Sequence, residues 1–170
     1  LLPAVQGRRI LYFWTDWPRG LRLTTPRAIK ADIRGRSIRG VRRHGKVLYF
    51  ELSGLLRRRR GNPARILAVH LRMSGRLEVL AADRPRGKWD HFRWRLSGGK
   101  ELRFVDPRKF GLVWYGDERT LRRDPYLASL GDDAENIPKS NFYQALAARS
   151  GMIKPLLLRQ DVISGIGNII

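Results

Sequence analysis

Cysteine is absent from the 170 residues, which excludes a disulfide framework and any thiolate metal site within them. Histidine is scarce as well. His44, His70 and His91 stand apart, without the spacing that gathers imidazoles onto one metal ion, so no bound metal is expected. No apolar run approaches the roughly eighteen residues of a membrane span, and neither a span nor a secretory signal is expected. The chain should be soluble and globular in a reducing, cytosolic compartment. Acidic residues are the last scarcity: fifteen Asp and Glu face thirty-five Lys and Arg, leaving a formal charge of +20 too large for internal pairing to neutralise.

That excess calls for a polyanionic partner. A phosphate backbone fits best, because each neutralised phosphate releases a counterion and adds affinity. An acidic membrane is usually met by a basic amphipathic helix, and none is legible. Membrane or acidic-protein binding stays as the lesser alternative.

The periodicity then places the elements. Leu1 to Gly7 reads as the end of a helix closed by glycine, and Ile10 to Trp17 as an aromatic-rich strand. Thr25-Pro26 is an N-cap with proline at the first helical position, and Gly35 ends the helix it opens. Seven strands follow, at about Ser37–Arg43, Val47–Leu52, Ile66–Met73, Arg76–Leu80, His91–Leu96, Glu101–Val105 and Gly111–Tyr115. In His91 to Leu96, Phe92, Trp94 and Leu96 share an inward face, while His91, Arg93 and Arg95 face water or a ligand. Turns at Ser97-Gly98-Gly99-Lys100 and Ser74-Gly75 suggest hairpins, and the strand spacing argues for a β-sandwich.

After Asp117 turn residues dominate. Ser140 is expected to cap a helix running to about Arg149, with Phe142, Leu146 and Tyr143 on its buried side, and a shorter helix is expected from Ile153 to Arg159. The fold class is α+β. An N-terminal antiparallel β-sandwich with flanking helices occupies residues 1–131 and a linker residues 132–138. Residues 139–170 begin a helical domain that is too short to bury a sizeable core alone. Because residue 1 is Leu and the chain stops at a glycine turn, the sequence is expected to be cut at both ends.

Three stretches combine glycine, a basic residue and an apolar neighbour: Arg42-Arg43-His44-Gly45-Lys46, His70-Leu71-Arg72-Met73-Ser74-Gly75, and Asp106-Pro107-Arg108-Lys109-Phe110-Gly111. Taken singly each is weak, since a strand-end methionine usually fills a core and an arginine is usually a surface charge. Ser164-Gly165-Ile166-Gly167-Asn168 is either a phosphate-holding turn before a helix or a tight connection, and it lacks the Gly-Lys-Ser/Thr ending of a nucleotide-binding loop. The run Arg57 to Arg60 reads as a solvated basic loop or a phosphate contact.

Together and in order these pieces resemble the formamidopyrimidine-DNA glycosylase family, bifunctional base-excision enzymes that remove oxidised purines and nick the abasic site. The resemblance also uses Lys88-Trp89-Asp90-His91, Arg103-Phe104-Val105, Leu130-Gly131 and Lys154-Pro155. It implies a sandwich domain and a helix-two-turn-helix domain flanking a DNA cleft from which the damaged nucleotide is flipped. Met73, Arg108 and Phe110 match the residues that fill the vacated space: a flexible plug, a planar donor for the widowed base and a flat wedge. Arginine there favours cytosine opposite the lesion, hence a purine such as 8-oxoguanine. Lys46 and Asn168 match phosphate-gripping residues, with His70, His91 and Lys154 as further phosphate contacts.

The nucleophile the resemblance implies is an N-terminal proline amine, assisted by a glutamate, that forms a Schiff base with the sugar. Pro3 does not match it, because its nitrogen lies in an internal amide, and the catalytic segment is expected upstream of Leu1. The 170 residues alone are therefore expected to be inactive, with no cofactor of their own. One zinc belongs to the C-terminal finger of typical members. The implied partner is double-stranded DNA with oxidised bases, met by a monomer in the bacterial cytosol at the nucleoid; the alternative is a non-catalytic nucleic-acid-binding module. Trp89 stands where the family usually has histidine, Asp132 where it has proline and Ile170 where it has tyrosine.

Overall fold

A computed structural model describes residues 2–54 and 63–168; the arginine run at 57–60 lies outside the described residues. Helix α1 (Leu2–Val5) is closed by Gly7 at φ +76°, leading into β1 (Ile10–Thr15). A short β2 (Leu21–Arg22) precedes α2 (Pro26–Ile33), whose N-cap Thr25 accepts the Ala28 N–H, as the Thr-Pro pair predicts.

The strands β3 (Ile38–His44), β4 (Val47–Leu52), β5 (Arg65–His70), β6 (Arg76–Ala81), β7 (Asp90–Leu96), β8 (Lys100–Val105) and β9 (Leu112–Gly116) form two sheets. One has the order β1-β7-β8-β6 and the other β2-β9-β5-β4-β3. All pairings are antiparallel except the two-residue contact of β2 with β9. The α+β class and the sandwich are thus as the sequence suggested.

Inward residues of both sheets interdigitate. Phe13, Phe92, Trp94 and Phe104 meet Phe50, Leu67, Val69 and Val113, with Ile29 and Ile33 of α2 closing one side. Phe92 lies within about ring-stacking range of both Trp94 (6.0 Å) and Phe104 (5.9 Å), a geometry that adds to the apolar burial itself. The opposite face of the five-stranded sheet is also covered. Trp114, Tyr49 and Val47 pack beneath α3 (Glu118–Leu121) and α4 (Pro125–Ala128).

Three expectations about the strands need correction. The turn at Ser74-Gly75 makes no hairpin, because β5 and β6 belong to different sheets and β6 pairs with β8. The strand expected to reach Met73 stops at His70, where Arg72 takes φ +56° and turns the chain out of the ladder. The basic face of β7 lies open only at Arg95: His91 is buried against Asp16, and Arg93 is paired with Glu101.

In the C-terminal part, β10 (Asp132–Asp133) pairs in parallel with β11 (Ile163–Ser164), and α5 (Lys139–Ala147) and α6 (Ile153–Leu158) lie between them in sequence. Ser140 does not cap α5. The cap position is Pro138, and the Ser140 hydroxyl instead donates to Asn141. Tyr143 is exposed rather than buried, since among the described residues no larger helical partner covers that side.

Candidate nucleic-acid interface

Asp106, at the end of β8, organises the first cluster. Its buried carboxylate accepts from the Ser74 hydroxyl at 2.6 Å, from the Phe110 and Gly111 amides at 2.8 Å each, and from the Arg108 amide at 3.2 Å. Burial opposes ionisation, but the Ser74 hydroxyl and the three amides outweigh it and hold the carboxyl below its usual value. One side chain therefore fixes the turn carrying Arg108 and Phe110 and ties it to the turn carrying Met73.

Glycine lets both turns sit on the same floor. A Cβ on Gly111 would lie 2.1 Å from the Phe104 ring, and one on Gly75 2.5 Å from it and 2.3 Å from the Leu71 carbonyl. Only a bare backbone fits at either place.

Met73, Arg108 and Phe110 meet above this floor. The Arg108 guanidinium lies 4.5 Å from the centre of the Phe110 ring, and its Nη1 is 3.9 Å from the Met73 sulfur. Met73 is 78% exposed and Phe110 46%. A methionine and a phenylalanine left in water beside a guanidinium make an apolar cluster with a cationic donor, suited to insertion between bases.

His70 lies beneath this cluster. It is buried, and its Nδ1 accepts the Arg72 amide N–H at 2.9 Å, so it shapes the Met73 turn from below. Burial first, then the charges of Arg72 and Lys46, push its pKa down to about 4. The neutral ring also packs edge-on to Tyr126 at 5.5 Å.

Lys46 occupies the tip of the β3–β4 hairpin and is exposed. Gly45 supplies the turn at φ +57°, donates its N–H to Asp133 at 2.7 Å, and approaches Ser164 so closely that a Cβ would lie 2.9 Å from the serine Cβ. Arg43 completes the junction. It donates to Asp133 at 2.7 and 3.0 Å and to the Gly45 carbonyl at 2.7 Å, and it pairs with Glu135 at 2.6 Å. The Asp133 hydrogen bond raises the Arg43 pKa despite some burial; Asp133 is held low by Arg43 and two amides against its own burial.

The hairpin bearing Lys46 is thereby joined to the segment bearing Asn168. That segment is braced by Gln160, which accepts from the Gly165 N–H at 3.0 Å and donates to the Ile166 carbonyl at 3.0 Å. Asn168 itself is exposed, as is Lys154 on α6. His91 is buried, with Nδ1 2.8 Å from Asp16, so neither it nor His70 presents an open face.

Sequence reasoning missed Asp106, Asp133, Arg43 and Gln160 as organisers. The Asp-Pro turn hinted at the first, since such a side chain often caps its own loop; Gln160 carried no signal. Among the described residues, no group of three or more His, Cys, Asp or Glu side chains could hold a metal. Without cysteine, the residues present do not fit a zinc finger. No helix among them is long and apolar enough to cross a membrane.

Residues 1–113 match the family model for the formamidopyrimidine-DNA glycosylase N-terminal domain. A formamidopyrimidine-DNA glycosylase of Herpetosiphon aurantiacus is 37% identical over 156 residues, covering 90% of this chain and 53% of that protein. Another, from Dechloromonas aromatica, is 38% identical over 153 residues, covering 88% and 53%. The crystal structure of Lactococcus lactis formamido-pyrimidine DNA glycosylase, non-covalently bound to DNA containing an AP site, superposes with a TM-score of 0.81. It shares 29% identity and covers 99% of this chain and 62% of that one. The chain spans about half the length of the curated relatives it matches.

Proposed function

The chain belongs to the formamidopyrimidine-DNA glycosylase family, and on that premise we propose that it grips and opens damaged DNA for excision of oxidised purines. The observation that carries this reading is the convergence of Met73, Arg108 and Phe110 on one exposed spot, fixed by Asp106 and Ser74. Flipping a nucleotide costs a few kcal/mol of stacking and pairing, which filling the gap offsets. Met73 and Phe110 supply apolar surface for the gap, and Arg108 supplies a planar donor for the widowed base, matched to cytosine.

Lys46 and Asn168 hold the phosphates around the extruded nucleotide, and Lys154 adds a further contact. His70 acts from beneath, by positioning the Met73 turn that faces the DNA, whereas His91 is held against Asp16. The attacking amine lies outside these 170 residues in this reading, because Pro3 nitrogen is an internal amide. The complete enzyme cleaves the glycosidic bond through a Schiff base and works as a monomer in the bacterial cytosol.

Borohydride trapping on an 8-oxoguanine duplex tests the reading, with each of the four bases in turn opposite the lesion. A protein spanning the full length of the relatives should cross-link best opposite cytosine, and the 170-residue chain should not cross-link. Arg108→Ala should flatten the preference among opposite bases, whereas Lys46→Ala should weaken trapping on all four alike. An adduct from the 170 residues, or equal loss of selectivity in both variants, would contradict this assignment of roles.

A further inference from the structure

The outer face of the four-stranded sheet commits a buried charge network to one surface loop, residues 82–89. Arg103 is 1% exposed. Its Nε donates to Glu101 at 2.7 Å, its Nη1 to Asp90 and to the Pro85 carbonyl at 2.8 Å each, and its Nη2 to the Arg84 carbonyl. The Asp90 carboxylate in turn accepts the Gly87 N–H at 2.8 Å. Burying ions costs desolvation energy that their pairing often fails to recover, so such a network is a poor source of stability. Here it fixes the shape of the loop.

The loop presents an indole. Trp89 is 39% exposed, although tryptophan is ordinarily well covered, and the Lys88 ammonium lies 4.5 Å from its ring centre. The Trp89 carbonyl accepts the Asp106 N–H at 3.0 Å, and Asp106 is the residue that sets the Met73, Arg108 and Phe110 cluster. Two cation-on-aromatic pairs, Lys88 with Trp89 and Arg108 with Phe110, are therefore tethered through one backbone hydrogen bond.

Resting on the DNA reading above, we propose that Trp89 is a stacking contact for an unpaired base of DNA beside the Met73–Arg108–Phe110 cluster, with Lys88 on the adjoining phosphate. Inside a closed duplex both faces of each base are covered by its neighbours, so an indole meets only sugar and phosphate. Where bases have lost their partners, a flat ring on a rigid basic loop gains a stacking surface, irrespective of base identity. Lys88 lies over one face of the indole, so the base adds on the other. The consequence is a preference for DNA opened next to the damage over DNA closed up to it.

The test compares two DNAs of equal length by fluorescence anisotropy, using protein spanning the full length of the relatives. Both carry an abasic-site analogue opposite cytosine, and one has three unpaired nucleotides flanking it. The wild-type protein should bind the opened DNA on the order of tenfold more tightly, with quenching of indole emission. Trp89→Ala should bring the ratio of the two affinities to about one and abolish the extra quenching, and Trp89→Phe should recover part of the ratio. Equal wild-type affinities, or a ratio unchanged in Trp89→Ala, would overturn the proposal while leaving the DNA reading intact. Failure to bind either DNA would sink both.

Discussion

At the scale of single residues, His70 links acidity to the shape of the turn that carries Met73. Its Nδ1 can accept the Arg72 N–H only while that nitrogen carries no proton. An unfolded histidine titrates near 6.5 and the folded one at about 4. Because the folded value is the lower one, the unfolded chain takes up the proton first. The contribution of His70 to stability is complete above about pH 6.5 and falls as pH drops toward 4, by about 3 kcal/mol in all. The melting temperature of the wild type should therefore fall between pH 7 and pH 4, and His70→Gln should lessen that fall. Parallel curves for the two proteins would refute the assignment. Asp106 acts in a separate window: its lowered pKa makes its contribution present above the ordinary carboxylate range and lost only at more acidic pH.

At the scale of elements, the turns that carry Met73 and Phe110 depend on how closely backbone can approach Phe104. Gly111→Ala would drive a methyl group to 2.1 Å from the buried ring and 3.2 Å from the His70 carbonyl. With sheet on either side the ring has little room to yield, and overpacking of this kind costs about 1–3 kcal/mol. Urea melts should show a loss in that range, and the variant's affinity for abasic-site duplex should fall further than that of Gly99→Ala, whose Cβ would meet nothing within 4 Å. The comparison separates crowding from backbone strain, since Gly99 has a positive φ and open space around it whereas Gly111 has no positive φ and is crowded.

The elements themselves were largely legible. Strand β4 has the bounds that its apolar run predicts, and Thr25 caps α2 as expected. What escaped was partnership. Alternation in β7 assigns an inner and an outer face but says nothing of a loop folded over the outer one, which is why Arg93 and His91 read as open. A Ser-Gly turn between two strands reads as a hairpin whether the strands share a sheet or, as with β5 and β6, do not. The site was legible as a set of motifs, because Met73, Arg108 and Phe110 lie in short ordered stretches. Asp133 was not, because its partners Arg43 and Gly45 lie 90 and 88 residues away in sequence; Asp106 was hinted at only by its Asp-Pro turn, and Gln160 carried no signal.

For the whole molecule, the count of thirty-five Lys and Arg overstates the cations free to meet DNA. Arg36, Arg43, Arg93 and Arg103 are all committed to carboxylates and carbonyls within the fold. A chain that set twenty cations on phosphates would show a slope of about −18 in log affinity against log salt, at roughly −0.9 per contact. The protein should give a much shallower slope, set by exposed cations such as Lys46, Lys88, Arg108 and Lys154. Titrations of abasic-site duplex from low to moderate salt separate the two populations of charge. Lys46→Ala should make the slope shallower by about 1 and weaken binding on every sequence. Arg93→Ala, which removes two hydrogen bonds to Glu101, should lower the melting temperature yet leave the slope unchanged, because its charge never reaches a phosphate. A drop in slope for Arg93→Ala as large as that for Lys46→Ala would mean that the ion pairs on the outer sheet open on binding, and that the basic composition acts as a diffuse field instead of through placed residues.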